Sequence, residues 1–136
     1  MKVKDIMQTD VATLELNDEL SLADDIMKLG RIRHLPVADE GRLVGIISER
    51  DLFKASLTSA MSYEEKEKRE FMKAVVVKDV MVGEVITISP EAGIEEAGQL
   101  MLEKKIGCLP VIEDENLVGL ITETDILEYY VNSKGQ

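Results

Sequence analysis

The chain is a gapless internal duplication. Gly45-Ile46-Ile47-Ser48-Glu49-Arg50-Asp51 returns as Gly119-Leu120-Ile121-Thr122-Glu123-Thr124-Asp125, an offset of 119 − 45 = 74 residues. The same offset aligns 3–53 on 77–127, and 18 of those 51 pairs are identical, far above chance. A repeat is the first constraint that a fold has to satisfy. A unit of about 50 residues buries too little surface to be secure alone. Two copies packed with pseudo-two-fold symmetry around one core are therefore expected.

The repeat carries more than its closing stretch. Val3-Lys4-Asp5-Ile6-Met7 matches Val77-Lys78-Asp79-Val80-Met81, Leu35-Pro36-Val37 matches Leu109-Pro110-Val111, and Leu43-Val44-Gly45 matches Leu117-Val118-Gly119. Apolar residues make up 45% of the sequence and aromatics only 4%, so the core has to be aliphatic. The net charge of −11 repels nucleic-acid phosphates and anionic lipid. DNA, RNA and membrane are excluded as main partners. One cysteine, Cys108, and one histidine, His34, rule out an internal disulfide and are too few for a zinc site built from Cys and His within the chain. No apolar run follows Met1-Lys2-Val3-Lys4-Asp5 as in a secretory signal, and none approaches the roughly 20 residues of a membrane span. A cytoplasmic protein is expected.

Within each unit the hydrophobic period changes in the same order. Val11 to Leu16 and Val85 to Ile88 partly alternate and read as short strands. A helix follows, with Leu20, Ala23 and Met27 in the first unit and Ile94, Ala97 and Met101 in the second on one face. Asn17 or Asp18, and Ser89 ahead of Pro90, are its expected starts; Gly30 is the expected stop of the first. His34 to Ala38 reads as a strand with an edge proline, Asp39-Glu40-Gly41 as a turn, and Leu43 to Ile47 as a buried strand. A second helix begins at Ser48. The connection carries Ser62-Tyr63-Glu64-Glu65 at capping-box spacing and i, i+4 pairs Glu64 with Lys68 and Glu65 with Arg69. It reads as a solvated helix docked by Phe71 and Met72. The fold class is α/β with two β-α-β-β-α motifs. The divisions are 1–56, a helical linker 57–76, 77–131 and a tail 132–136.

The closing stretch has two readings. Ser48 and Thr122 sit where a helix begins and can accept from first-turn N–H groups; Asp51 and Asp125 then favour the positive end of the helix dipole. The same geometry offers an anion free N–H groups and a hydroxyl, a ribose diol a carboxylate acceptor, and a purine aliphatic strand edges.

In this order, twice, at a constant offset, the motifs resemble a pair of cystathionine-β-synthase-type (CBS) motifs, together a Bateman module. The wording Arg31-Ile32-Arg33-His34-Leu35-Pro36-Val37 and Ile106-Gly107-Cys108-Leu109-Pro110-Val111 is similar to CBS proteins of the acetoin-utilisation type. The resemblance implies a non-catalytic sensor of AMP, ADP, ATP or S-adenosylmethionine, held in clefts between the motifs and acting through a homodimer or an effector protein. It implies ribose binding by Asp51 and Asp125, ribose or phosphate contacts from Ser48 and Thr122, and adenine walls at Val11, Val85, Pro36 and Pro110.

The copies differ in charge. Arg31, Arg33, Arg42 and Arg50 are four of the five arginines in the chain, whereas Arg33, His34 and Arg50 are replaced by Gly107, Cys108 and Thr124. Guanidinium groups suit phosphate, so Arg50, Arg33, His34 and Arg31 are the candidate phosphate cations; a solvated basic surface is the bland alternative. The competing function is a structural pairing module with empty clefts. A metal-dependent hydrolase lacks converging ligands. Met7, Met27, Met81 and Met101 recur in both copies and are expected to be packing residues.

Overall fold

The structure, a computed structural model, describes residues 1–59 and 65–133. In chain order the elements are α1 (Val3–Ile6), α2 (Leu20–Gly30), β1 (His34–Asp39), β2 (Arg42–Ser48), α3 (Glu49–Ser59), α4 (Glu65–Ala74), a 3-10 turn (Val77–Asp79), α5 (Ile94–Lys104), β3 (Cys108–Glu113), β4 (Asn116–Thr122) and α6 (Glu123–Ser133). They form two compact units, one of residues 12–85 and one of residues 1–11 with 86–136. The repeat and the compact units are thus cut at different places. The opening segment of each repeat leaves its own motif and packs into the other.

The physical reason lies in the strands. In the 12–85 unit, Ile46 of β2 and Val82 exchange backbone hydrogen bonds of 3.0 and 2.9 Å. In the other, Gln8 and Leu120 of β4 do the same at 2.8 and 2.9 Å. Each pairing satisfies the backbone N–H and C=O of one strand residue, Ile46 or Leu120. The apolar residues of the opening segments follow. Val77 is buried in one cluster with Leu14, Leu35, Val37 and Ile47; Val3 is buried in the other with Leu109, Val111 and Ile121. Each unit thus has a buried cluster of its own.

Each unit is built around a hairpin. β1 pairs with β2 and β3 with β4, antiparallel, each with one irregularity, at Val37/Ala38 and Val111/Ile112. The turns place Glu40 and Gly41, and Asp114 and Glu115, at positive φ, the conformation that a tight two-residue hairpin needs. The alternating stretches that precede the helices do not become full strands. Each makes a single parallel bridge, Leu14 to Val37 and Ile88 to Val111, because the chain soon turns away to start a helix.

The apolar stripes of α2 and α5 fall as expected: Leu20, Ala23 and Met27, and Ile94, Ala97 and Met101, are buried. The starts differ. The N-caps are Glu19 and Gly93. Asp18 accepts from the Glu15 N–H at 2.7 Å, and Ser89 Oγ from the Glu91 N–H at 3.1 Å; both residues close turns ahead of the helices. The delay in the second unit has a cause, since the Pro90 and Ala92 carbonyls accept from Lys4 and Val3. Gly30 remains helical and Arg31 takes the left-handed position at φ 54, with Lys105 its counterpart at φ 56. A cation there interacts favourably with the helix C-terminus.

The connecting helix α4 docks as expected, with Met72 buried and Phe71 packed on the 12–85 cluster. Arg69 forms a two-pronged pair with Asp25 at 2.7 and 2.9 Å. Ser62, Tyr63, Glu64 and the side chain of Glu65 lie outside the described residues, so the capping box and the two i, i+4 pairs do too. Met27 and Met101 are buried. Met81 and Met7 cover glycines: a Cβ on Gly45 would strike Met81 Sδ, and one on Gly119 would lie 2.6 Å from Met7 Sδ and 2.9 Å from the Gln8 carbonyl oxygen.

Gly119→Ala is therefore expected to destabilise the protein by about 1–3 kcal/mol, the range for overpacking, read as a lower urea midpoint; an unchanged midpoint contradicts the close approach. A second prediction concerns the first segment, which is clipped by Lys2 and Lys4 on Glu91 at 2.6 and 2.9 Å. Hydrogen bonds from Lys2 and then Lys4 hold the Glu91 carboxyl down at about 2 against an ordinary 4.5. A depressed carboxyl stabilises the fold above its unfolded value and loses that contribution as pH falls through the folded one. Glu91→Gln should melt slightly below wild type at pH 7, with the difference shrinking below about pH 4.5 and vanishing near pH 2. The effect is small because the pair is exposed. A difference that persists at pH 2 contradicts the ion pair as its source.

Candidate functional site

The two strand-to-helix junctions form matching corners. In the 12–85 unit β2 ends at Ser48 and α3 starts at Glu49. The Ser48 N–H donates to Asp51 Oδ2 at 2.8 Å, and the Asp51 N–H donates to Ser48 Oγ at 3.1 Å. This is a reciprocal cap with aspartate in the acidic position. In the other unit the Thr122 N–H donates to Asp125 Oδ2 at 2.8 Å, and the Asp125 N–H to Thr122 Oγ1 at 3.3 Å. Thr122 Oγ1 also donates to Asp125 Oδ2 at 3.0 Å. The cap fixes each carboxylate by one oxygen. Both aspartates remain half-buried, within reach of solvent.

The second oxygen separates the corners. Asp51 Oδ1 has no hydrogen-bond partner among the described residues. Asp125 Oδ1 accepts from Gln8 Nε2 at 3.2 Å, and the same amide lies 3.2 Å from Oδ2. The repeat aligns Gln8 with Val82, which carries no donor in its side chain. Sequence reasoning missed Gln8. Its signal was a polar residue facing an aliphatic one across the repeat, beside a motif that otherwise matched.

The candidate cations gather at the Asp51 corner in part. His34 is paired in register with Ser48. The Arg33 carbonyl accepts from the Glu49 N–H at 2.8 Å, and Arg50 is the second residue of α3. Arg33 and Arg50 are exposed and form no ion pair among the described residues, although the chain is strongly acidic. Arg31 stands apart, at the end of α2. In the other unit Gly107, Cys108 and Thr124 hold the equivalent places, so that corner has no cation of its own there. A side chain at 107 would meet the carboxylate of Glu123.

Cys108 is buried, and burial, with the Asp125 charge adding to it, pushes its thiol up to about 12. It is an inert packing residue. Of the expected adenine walls, Val11 and Val85 are half-buried. Pro36 and Pro110 are fully buried and present no surface to a ligand. Their carbonyls accept from Leu14 and Ile88, which is how the preceding extended segments are held. Asp125 also lines a cavity of about 420 Å³ with Met1, Ile6, Glu128, Tyr129 and Asn132, an acidic setting. No group of three or more metal-ligating side chains occurs among the described residues, and no helix among them is long and apolar enough to cross a membrane.

The model of the CBS domain family matches the chain twice, over residues 3–58 and 77–132. The CBS domain-containing protein YhcV of Bacillus subtilis is 32% identical over 124 residues, spanning 91% of this chain and 81% of that protein. A Vibrio cholerae protein assigned to acetoin utilization, AcuB, has a crystal structure that superposes with a TM-score of 0.85 at 33% identity, over 99% of this chain and 93% of that one. The CBS domain pair of protein MJ0100, crystallised with 5′-methylthioadenosine and S-adenosyl-L-methionine, superposes with a TM-score of 0.83 at 28% identity, over 98% of each chain. The α/β architecture is that of a Bateman module, and the chain belongs to the CBS domain family.

Proposed function

We propose that the chain is a regulatory module that binds an adenosine-containing ligand through the Ser48–Asp51 and Thr122–Asp125 corners. The observation that carries this reading is the Asp51 oxygen that has no partner among the described residues. The cap holds the carboxylate in place by one oxygen and leaves the other to accept from a ribose diol. The binding of two adenosine compounds by the MJ0100 pair supports the ligand class. Arg50, Arg33 and His34 make the Asp51 corner suited to phosphate, which favours AMP, ADP or ATP over the cationic S-adenosylmethionine there. Ser48 and Thr122 offer hydroxyls beside the ribose, and Val11 and Val85 offer aliphatic surface to adenine. The module has no catalytic role in this reading. It works in the cytoplasm, where nucleotide pools are, through a homodimer or an effector protein.

A second reading, an assembly element with empty clefts, is favoured by the exposed apolar residues Leu102, Leu127 and Val131. Leu102 and Leu127 edge a groove of about 740 Å³ between α5 and α6. Such a surface suits a second copy; a monomer by light scattering at high protein concentration would remove the dimer from both readings.

Calorimetry and thermal shift with AMP, ATP and S-adenosylmethionine test the ligand. AMP should raise the melting temperature, and 2′-deoxy-AMP should bind about tenfold more weakly, a loss of ~1.4 kcal/mol. Asp51→Asn should weaken AMP at least as much. Arg50→Ala should weaken AMP more than adenosine. No shift with any of these compounds would overturn the reading in favour of the assembly element.

A further inference from the structure

We propose that Gln8 sets the two corners apart: its side-chain amide holds the Asp125 oxygen that a ribose diol would use, so adenosine ligands fill the Asp51 corner first. The inference rests on the functional reading above and adds a specificity-determining residue to it. Three observations carry it. The caps at Ser48–Asp51 and Thr122–Asp125 are equivalent, and each uses Oδ2. Gln8 Nε2 lies 3.2 Å from both oxygens of Asp125. Val82, its partner across the repeat, cannot make that bond and is 45% exposed.

Gln8 is placed to do this by its backbone, not by its side chain. Its N–H and carbonyl are both bonded to Leu120, two residues before Thr122 on β4. This anchor brings the side chain to the end of the strand, where Asp125 stands in the first turn of α6. The amide is exposed and can rotate away without disturbing the anchor. Gln8 is thus a displaceable occupant: a diol has to exchange for it, whereas at Asp51 no side chain among the described residues holds the free oxygen. The exchange costs affinity because the carboxylate gives up a charge-assisted hydrogen bond before gaining new ones.

The test exchanges the two residues. Gln8→Val should tighten the weaker of two AMP sites seen by calorimetry about tenfold, ~1.4 kcal/mol, and leave the tighter one unchanged. Val82→Gln should weaken the tighter site by a similar factor. Gln8→Ala serves as a second variant, and melting of each variant without ligand checks the fold. Both substitutions lie on exposed side chains of backbone-anchored residues, so folding should be kept. Unchanged or weaker binding at the second site in both Gln8 variants overturns the proposal, because Gln8 would then be idle or a ligand contact. Wild type and Gln8→Val both failing to bind AMP, ATP or S-adenosylmethionine overturns the functional reading and the proposal with it. Binding that appears only in Gln8→Val supports both.

Discussion

The fold depends on the exchange of opening segments between the repeats. Val3 to Gln8 and Val77 to Val82 each lie along a strand of the other repeat, held by a pair of backbone hydrogen bonds to Leu120 and Ile46. The approach is close enough that Gly119 and Gly45 have no room for a side chain beneath Met7 and Met81. That contact explains the glycine ahead of each closing stretch. It also completes each cluster, since Val3 and Val77 are fully buried, and burying an aliphatic side chain of that size contributes about 1.5–3 kcal/mol. A motif without its exchanged segment would lose this burial and the pair of backbone bonds.

The same contact governs the corners. The exchanged segment ends beside the cap, so Gln8 meets the carboxylate that the cap has fixed, and Val82, paired with Ile46, holds the equivalent place in the other unit. Capping and ligand binding are not competing explanations here. A cap contributes about 1 kcal/mol to the helix, and by doing so it removes the rotamer freedom that a binding carboxylate would otherwise lose on meeting its ligand. Ser48 and Thr122 serve the fold first, and their hydroxyls are engaged by Asp51 and Asp125.

Much of this was legible in the sequence because it is written in periodicity. The buried stripes of α2 and α5, the hairpins, and the junctions at Ser48 and Thr122 follow from spacing alone. The starts of α2 and α5 were not legible. Ser89 and Asp18 have the chemistry of caps, but neighbouring carbonyls are claimed by the exchanged segment, a long-range demand that local propensity does not carry. The cut of the repeats into compact units failed to show for the same reason. Pro36 and Pro110 read as cleft walls by resemblance, yet they are interior residues whose carbonyls hold another segment. Gln8 was hidden because an exposed glutamine has no pattern of its own; only its mismatch with Val82 distinguishes it.

The charge asymmetry then acquires a physical reading. Repulsion from a net charge of −11 is screened beyond a Debye length of about 8 Å at physiological salt. At contact distance, the side chains at the corner decide. Arg33 and Arg50, unpaired among the described residues, can meet an anion there without first giving up a carboxylate. Opposite His34, Arg33 and Arg50, the second unit carries Cys108, Gly107 and Thr124, with Glu128 beside Asp125 in the same cavity. A phosphate gains no positive charge from those side chains. Duplication supplied two equal carboxylates on equal caps. The side chains around them, not the fold, now make the two corners unequal.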